Sequence, residues 1–198
     1  MTINAALGTV SYDDERARAN GHGPMILSGK AAAAQGVLPV GLLLSRNGSN
    51  ELIPYEAVED EAVGTGDGTN KAFADTLSKA PIEPGTVSVT GSSETLTDDG
   101  LGRMSSAAGG EGTINYATGA LSVTFNAAPA NEAAVTADYT RAIEGVLDET
   151  VDTAKTASAT YIPHGTVRRD ALKVGAVAKA APSSTELKRL SRKGIWAM

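Results

Sequence analysis

The chain has 198 residues, carries 17 Lys+Arg against 23 Asp+Glu for a formal net charge of −6, and contains no cysteine. Its length holds one domain or two small ones, and its acidity argues against non-specific nucleic-acid binding, which draws on clustered Lys and Arg. The missing thiols exclude disulfides and zinc–thiolate sites, and with no apolar run of ~18 residues and no secretory pattern at the start a soluble protein made in the cytoplasm is expected.

Residues 1–23 read as a flexible N-terminal arm. The run Tyr12-Asp-Asp-Glu-Arg-Ala-Arg-Ala-Asn-Gly-His-Gly is polar, ends in two closely spaced glycines and holds neither the helical nor the strand period for long. Pro24-Met-Ile-Leu opens the ordered part, and Ala31-Ala-Ala-Ala-Gln is short enough for a packed turn rather than an independent helix. Val40-Gly-Leu-Leu-Leu and Glu51-Leu-Ile-Pro-Tyr predict two strands, with Asn47-Gly48 supplying the positive-φ residues of a tight hairpin. From Ala62 the composition changes. Gly64-Thr-Gly-Asp-Gly-Thr-Asn reads as a linker, and short alternating runs follow at Phe73, Asp75 and Leu77 and at Val87 and Val89. The clearest hairpin pairs Ile114 and Tyr116 with Leu121, Val123 and Phe125 around Ala117-Thr-Gly-Ala. Val135, Ala137 and Tyr139 make a last strand. Short strands at this spacing predict an inserted all-β sandwich over 62–141.

From Arg141 to Leu172 the chain resumes a domain that stops unfinished before Glu61. Residues 24–61 and 142–198 are therefore expected to form one discontinuous base domain, α+β with much irregular structure. Near its end Ser183-Ser-Thr-Glu is a capping box. Leu187 and Leu190 follow at helical spacing, and Gly194 fits a left-handed stop that lets Ile195 pack back on Leu190. Trp196, the only tryptophan, is expected to be buried against the base or a neighbouring subunit. Aromatics are only 4 % of residues and glycines number 22. Small side chains bury little apolar area each, at roughly 25 cal/mol per Å², so oligomer formation is expected to add burial.

The search for chemistry yields absences. The two histidines, His22 and His164, are too few for a metal-binding histidine cluster, and no G-x-S-x-G elbow presents a serine nucleophile. Gly66-Asp-Gly-Thr-Asn lacks the closing bidentate glutamate of an EF-hand, and Gly109-Gly-Glu-Gly does not open a helix that could cradle phosphate. No catalytic, cofactor-binding or metal site is expected, and no enzyme.

Several segments resemble the lambda-type phage head decoration proteins: Pro39-Val-Gly-Leu-Leu-Leu through Leu52-Ile-Pro-Tyr-Glu, Glu144-Gly-Val-Leu-Asp-Glu-Thr-Val-Asp, His164-Gly-Thr-Val-Arg-Arg-Asp-Ala-Leu, and Leu187 to Gly194-Ile-Trp. Together they cover about half of the chain. The insert, through Gly112-Thr-Ile-Asn-Tyr-Ala-Thr-Gly-Ala-Leu-Ser-Val-Thr-Phe, looks like the immunoglobulin-like β-sandwich modules of assorted phage structural proteins. The resemblance implies a homotrimer that clamps the major capsid protein at local three-fold positions on the outside of an expanded head and reinforces it. It places the protein on the virion exterior after assembly in the host cytoplasm, with neither nucleic acid nor membrane as partner. On this resemblance Tyr12, Arg16 and Arg18 of the arm, with Met25, Ile26 and Leu27 beyond it, are expected to bind the capsid. Arg168, Arg169, Ile195 and Trp196 are expected in trimer or core packing. A rival expectation is a carbohydrate- or cell-surface-binding module on a tail or fibre, and the insert of a decorated head could itself touch host-surface glycan.

Overall fold

Alternation such as Leu121-Ser-Val-Thr-Phe125 sends successive side chains to opposite faces of a strand, so one face enters a core and the other meets water. The computed structural model, which describes residues 16–177 and 179–198, builds most of the chain this way. The first flank contributes β1 (Met25–Lys30), β2 (Val37–Leu38), β3 (Leu43–Arg46) and β4 (Leu52–Pro54). The middle contributes β5 (Ala57–Thr65), β6 (Ala72–Thr76), β7 (Ser88–Gly91), β8 (Glu94–Asp98), β9 (Arg103–Ser105), β10 (Glu111–Ile114), β11 (Ala120–Thr124) and β12 (Ala134–Thr140). The second flank adds β13 (Gly145–Leu147), β14 (Val151–Asp152), β15 (Ser158–Val167), the helix α1 (Ser184–Arg192) and β16 (Ile195–Ala197).

The middle strands form one antiparallel sheet in the order β5-β12-β7-β8-β9-β10-β11-β6. The expected sandwich of two stacked sheets is thus replaced by a single sheet that curls into a near-barrel. Its two edges approach each other: the Phe73 ring of β6 lies where a Cβ on Gly64 of β5 would stand 2.8 Å away. Glu61 of β5 also accepts from the Ser78 amide (2.7 Å) and from the Tyr139 hydroxyl. Register shifts between β5 and β12 at Val135/Thr136 and Ala137/Tyr139 supply the bulges that bend a sheet toward closure. β5 pairs with β12 from Ala57↔Thr140 to Thr65↔Ala134, so the boundary expected at Glu61/Ala62 falls inside a strand.

The interior of this sheet is a cluster that includes Val89, Leu96, Leu121, Val123, Phe125 and Val135. One carboxylate enters it. Glu94, 8 % exposed, accepts from Ser106 Oγ (2.5 Å), Gly110 N (3.1 Å) and Asn126 N (2.8 Å). Burial alone would raise the Glu94 pKa, but these bonds from Ser106, Ala127, Asn126 and Gly110 outweigh it and hold the carboxyl below its ordinary value. Burial and a bond to Glu61 push the Tyr139 hydroxyl up to about 12, and burial and a bond to Asp98 do the same for Tyr116. The linkage sign follows from proton counts. As pH rises above the ordinary tyrosine value of 10.0, the unfolded chain loses protons that the folded one keeps. The near-barrel should therefore lose stability between pH 10 and about 12. The contribution of Glu94 is present above its ordinary 4.5 and lost as pH falls through its lower folded value. Thermal melts followed by circular dichroism across both limbs check this; a midpoint independent of pH from 9 to 12 would contradict it.

The other large sheet draws on both flanks, in the order β1-β15-β13-β3-β4, with β16 parallel to β15. β2 pairs β14 beside it. Two apolar clusters lie here, one around Leu43, Tyr55, Ile143, Val146, Ile162, Leu190 and Ile195 and the other around Leu38, Leu42, Leu44, Leu52, Leu147 and Tyr161. The base expected as α+β is therefore mostly β, with α1 as the α-helix among the described residues. That helix starts where the capping box predicts: Ser183 N donates to Glu186 Oε2 (2.6 Å) and Glu186 N to Ser183 Oγ (3.3 Å). Leu190 and Ile195 are both buried in one cluster. The β3–β4 turn departs from expectation. Asn50 rather than Gly48 takes the positive φ, at 62°, because Asn47 Oδ1 accepts from Ser49 N (3.0 Å) and Glu51 N (2.9 Å) and shapes the loop itself.

Candidate interaction surface

Among the described residues β1 occupies an edge of its sheet and pairs with β15. No strand among the described residues pairs with its other edge, and such an edge presents backbone donors and acceptors. A strand on a core buries alternate residues, yet Met25 (54 %), Ile26 (39 %) and Leu27 (43 %) are all exposed, so neither face of this stretch is covered. The register shifts between Met25 and Leu27, which puts the extra residue of a bulge on β15, at Ile162 and Pro163 opposite Ile26. Beside them on β15, Gly165 (φ 121°) lets the backbone approach Pro24, whose Cα would lie 2.4 Å from a Cβ at that position. β16 runs along the other side of this end of β15, with Thr166↔Trp196 in register.

Within β16, alternation buries Ile195 completely and leaves Trp196 40 % exposed. The burial expected for Trp196 within the base is corrected: its strand position points it outward. Its indole lies edge-on to His22 (5.4 Å between centroids) and His164 (5.3 Å). Met198, also exposed, approaches Gly21 through its sulfur. Met25, Ile26, Leu27, Trp196 and Met198 are thus exposed apolar side chains on β1, β16 and the residue after it, gathered about the end of β15.

The segment before β1 is tied down from Ala17 onward, so the flexible arm expected up to Gly23 does not extend that far. Arg168 N donates to Ala17 O (2.7 Å), Ala19 N to Thr166 O (3.1 Å) and Thr166 N to His22 O (3.1 Å). Ala17 is fully buried. Arg18 grips Asp148 through Nε–Oδ1 (3.2 Å) and Nη2–Oδ2 (2.5 Å), while Arg16 reaches Glu149 at 2.9 Å. The expected capsid-binding residues therefore separate. Arg16 and Arg18 have partners within the chain, Met25, Ile26 and Leu27 face outward, and Tyr12 lies outside the described residues.

Of the other group, Ile195 is core. Arg168 is exposed and forms a fork with Asp170 (2.9 and 3.3 Å), whose carboxyl its hydrogen bond holds below the usual range. Arg169 is exposed and its amide donates to Met198 O (2.9 Å). Arg189 links the two sheets, donating to Tyr55 OH (3.0 Å) and Thr140 Oγ1 (3.2 Å). Only the proximity of 55, 140 and 189 reveals this role. A scan against protein-family models matched none, and comparisons with curated proteins and with solved structures gave no match.

Proposed function

We propose that this protein is a capsid decoration, or cementing, protein. In this reading it binds as a homotrimer to the major capsid protein at local three-fold sites on the outside of an expanded phage head. The resemblance of the flanking segments to lambda-type decoration proteins supports it. The observation that carries it is the open, apolar edge of β1, where Met25, Ile26 and Leu27 leave both faces of a strand uncovered. Long apolar edges invite pairing with another chain, and here the partner strand belongs to the capsid protein. The near-barrel is then the outward-facing guest, since its strands leave and rejoin the base through β5 and β12, which pair with each other.

Co-sedimentation with expanded capsids of the parent phage tests this, with light scattering to read the oligomer. Leu27→Asp should weaken capsid binding by more than about tenfold, because burying a leucine is worth about 1.5–3 kcal/mol and each 1.4 kcal/mol is tenfold. The circular dichroism and melting point of the variant should be unchanged, as Leu27 rests on no core. Wild-type protein that fails to sediment with capsids, or a Leu27→Asp variant that binds as well as wild type, would sink the reading.

A further inference from the structure

His22 and His164 lie 142 positions apart in sequence, yet their Nε2 atoms are 3.2 Å apart. Two features place them. The backbone of His22 is held against β15 by Thr166, whose amide and hydroxyl both donate to His22 O (3.1 and 2.9 Å). The His164 ring lies over Gly194, where a Cβ would come within 2.4 Å of its Nδ1, so only a residue without a side chain leaves room for this ring position.

We propose that this pair is a chelating site for a borderline transition-metal dication such as Zn²⁺, Ni²⁺ or Cu²⁺, bound through the two Nε2 atoms. The separation fits chelation as well as a hydrogen bond. With metal–nitrogen bonds of about 2.1 Å, nitrogens at this separation subtend an angle of about 100° at the ion, within the span of tetrahedral and square-planar sites. Two imidazoles converging on one ion place their centroids roughly 5 Å apart. The observed separation is 5.1 Å, with the rings nearly perpendicular at 83°. Without metal, one ring carries its proton on Nε2 and donates it to the other. On loading, that ring carries its proton on Nδ1, so both Nε2 lone pairs reach the ion. Imidazole nitrogen favours these ions over Mg²⁺ and Ca²⁺, which take oxygen ligands. His22 is exposed and His164 half-buried, so the remaining coordination positions face solvent. There, water or a donor from another chain completes the set. The ion would also fasten the segment before β1 to β15. This inference does not depend on the decoration reading.

Trp196 is a built-in reporter, the one tryptophan of the chain and within 5.4 Å of both rings. Untagged full-length protein is titrated with NiCl₂, CuCl₂ and ZnCl₂ in a non-coordinating buffer, following Trp196 fluorescence and binding heat. Saturable 1:1 binding is expected, tightest for Cu²⁺, with quenching by Cu²⁺ and Ni²⁺ and a higher melting point at saturating metal. His22→Ala and His164→Ala should each weaken binding at least about tenfold, since even an outer-shell partner is typically worth 10–100-fold. MgCl₂ should change nothing. Because His22 is exposed, His22→Ala keeps the fold and the test stands on it if His164→Ala does not. An absence of saturable binding leaves a hydrogen-bonded pair and overturns the proposal, as does binding undiminished in His22→Ala.

Discussion

Replacing Asp148 with alanine is expected to destabilise the protein by about 3 kcal/mol and to loosen the segment from Ala17 to His22. The Asp148 carboxylate is fully buried and holds Arg18 by two bonds, at 3.2 and 2.5 Å. Removing one partner of a buried ion pair typically costs about 3–5 kcal/mol. The Arg18 side chain keeps 34 % of its exposure, which lets water recover part of that loss and places the effect at the low end. For a chain of this size about 3 kcal/mol corresponds to a melting point lower by roughly 6–12 °C. Backbone bonds from Arg168 to Ala17 and from Ala19 to Thr166 remain, so the segment should fray rather than detach. Limited trypsin digestion should cut after Arg18 faster in the variant than in wild type. Asp148→Asn, which keeps an acceptor, should recover part of the loss. A melting point within a degree or two of wild type would show that the pair contributes little.

Phe125→Ala should cost about 3–5 kcal/mol, the usual range for deleting a buried phenylalanine, and should act on the near-barrel far more than on the base. Phe125 is 1 % exposed and meets Phe73 edge-on at 5.8 Å. It also fills the space above Gly91, where a Cβ would be 2.7 Å from its Cζ. The chain has just these two phenylalanines, so the loss removes a large share of the aromatic area this core possesses. The cluster around Phe125 is separate from the two clusters of the base. Hydrogen exchange should therefore accelerate in β7, β11 and β12 while amides of β13 and β15 stay protected. Uniform acceleration across both sheets would show that they unfold as one unit.

Much of the local structure is legible in the residues. The β10–β11 hairpin forms where alternation and Ala117-Thr-Gly-Ala indicate, because Asn115 Oδ1 accepts from Ala117 N (3.0 Å) and Thr118 N (3.2 Å) and Gly119 takes a φ of 79°. The capping box of α1 involves residues three apart. The curl of the eight strands is not legible: alternation states which face of a strand is buried, not whether the last strand meets the first. The mostly β character of the base is not legible for a related reason. Its irregular-looking stretches, such as Gly145–Leu147, become strands only because β3 and β15 lie on either side. Glu94 gave no signal, since its donors at 106, 110 and 126 converge only in the folded sheet.

The candidate surface divides along the same line. Three apolar residues in a row do not by themselves say whether Met25, Ile26 and Leu27 are exposed; the packing around β1 decides it. Trp196 points outward because β16 docks parallel to β15 with Ile195 inward. What the sequence by itself determined are features closed within a few residues, namely turns, caps and the alternating faces, together with the absence of thiols and the acidic net charge. What only the tertiary structure decided are pairings across the chain: Arg18 with Asp148, 130 residues apart, Arg189 with Tyr55, 134 apart, and His22 with His164, 142 apart. The physical reason is range. A capping bond or an alternating strand is specified by near neighbours, whereas a contact between distant residues exists only once the sheet that carries both has formed.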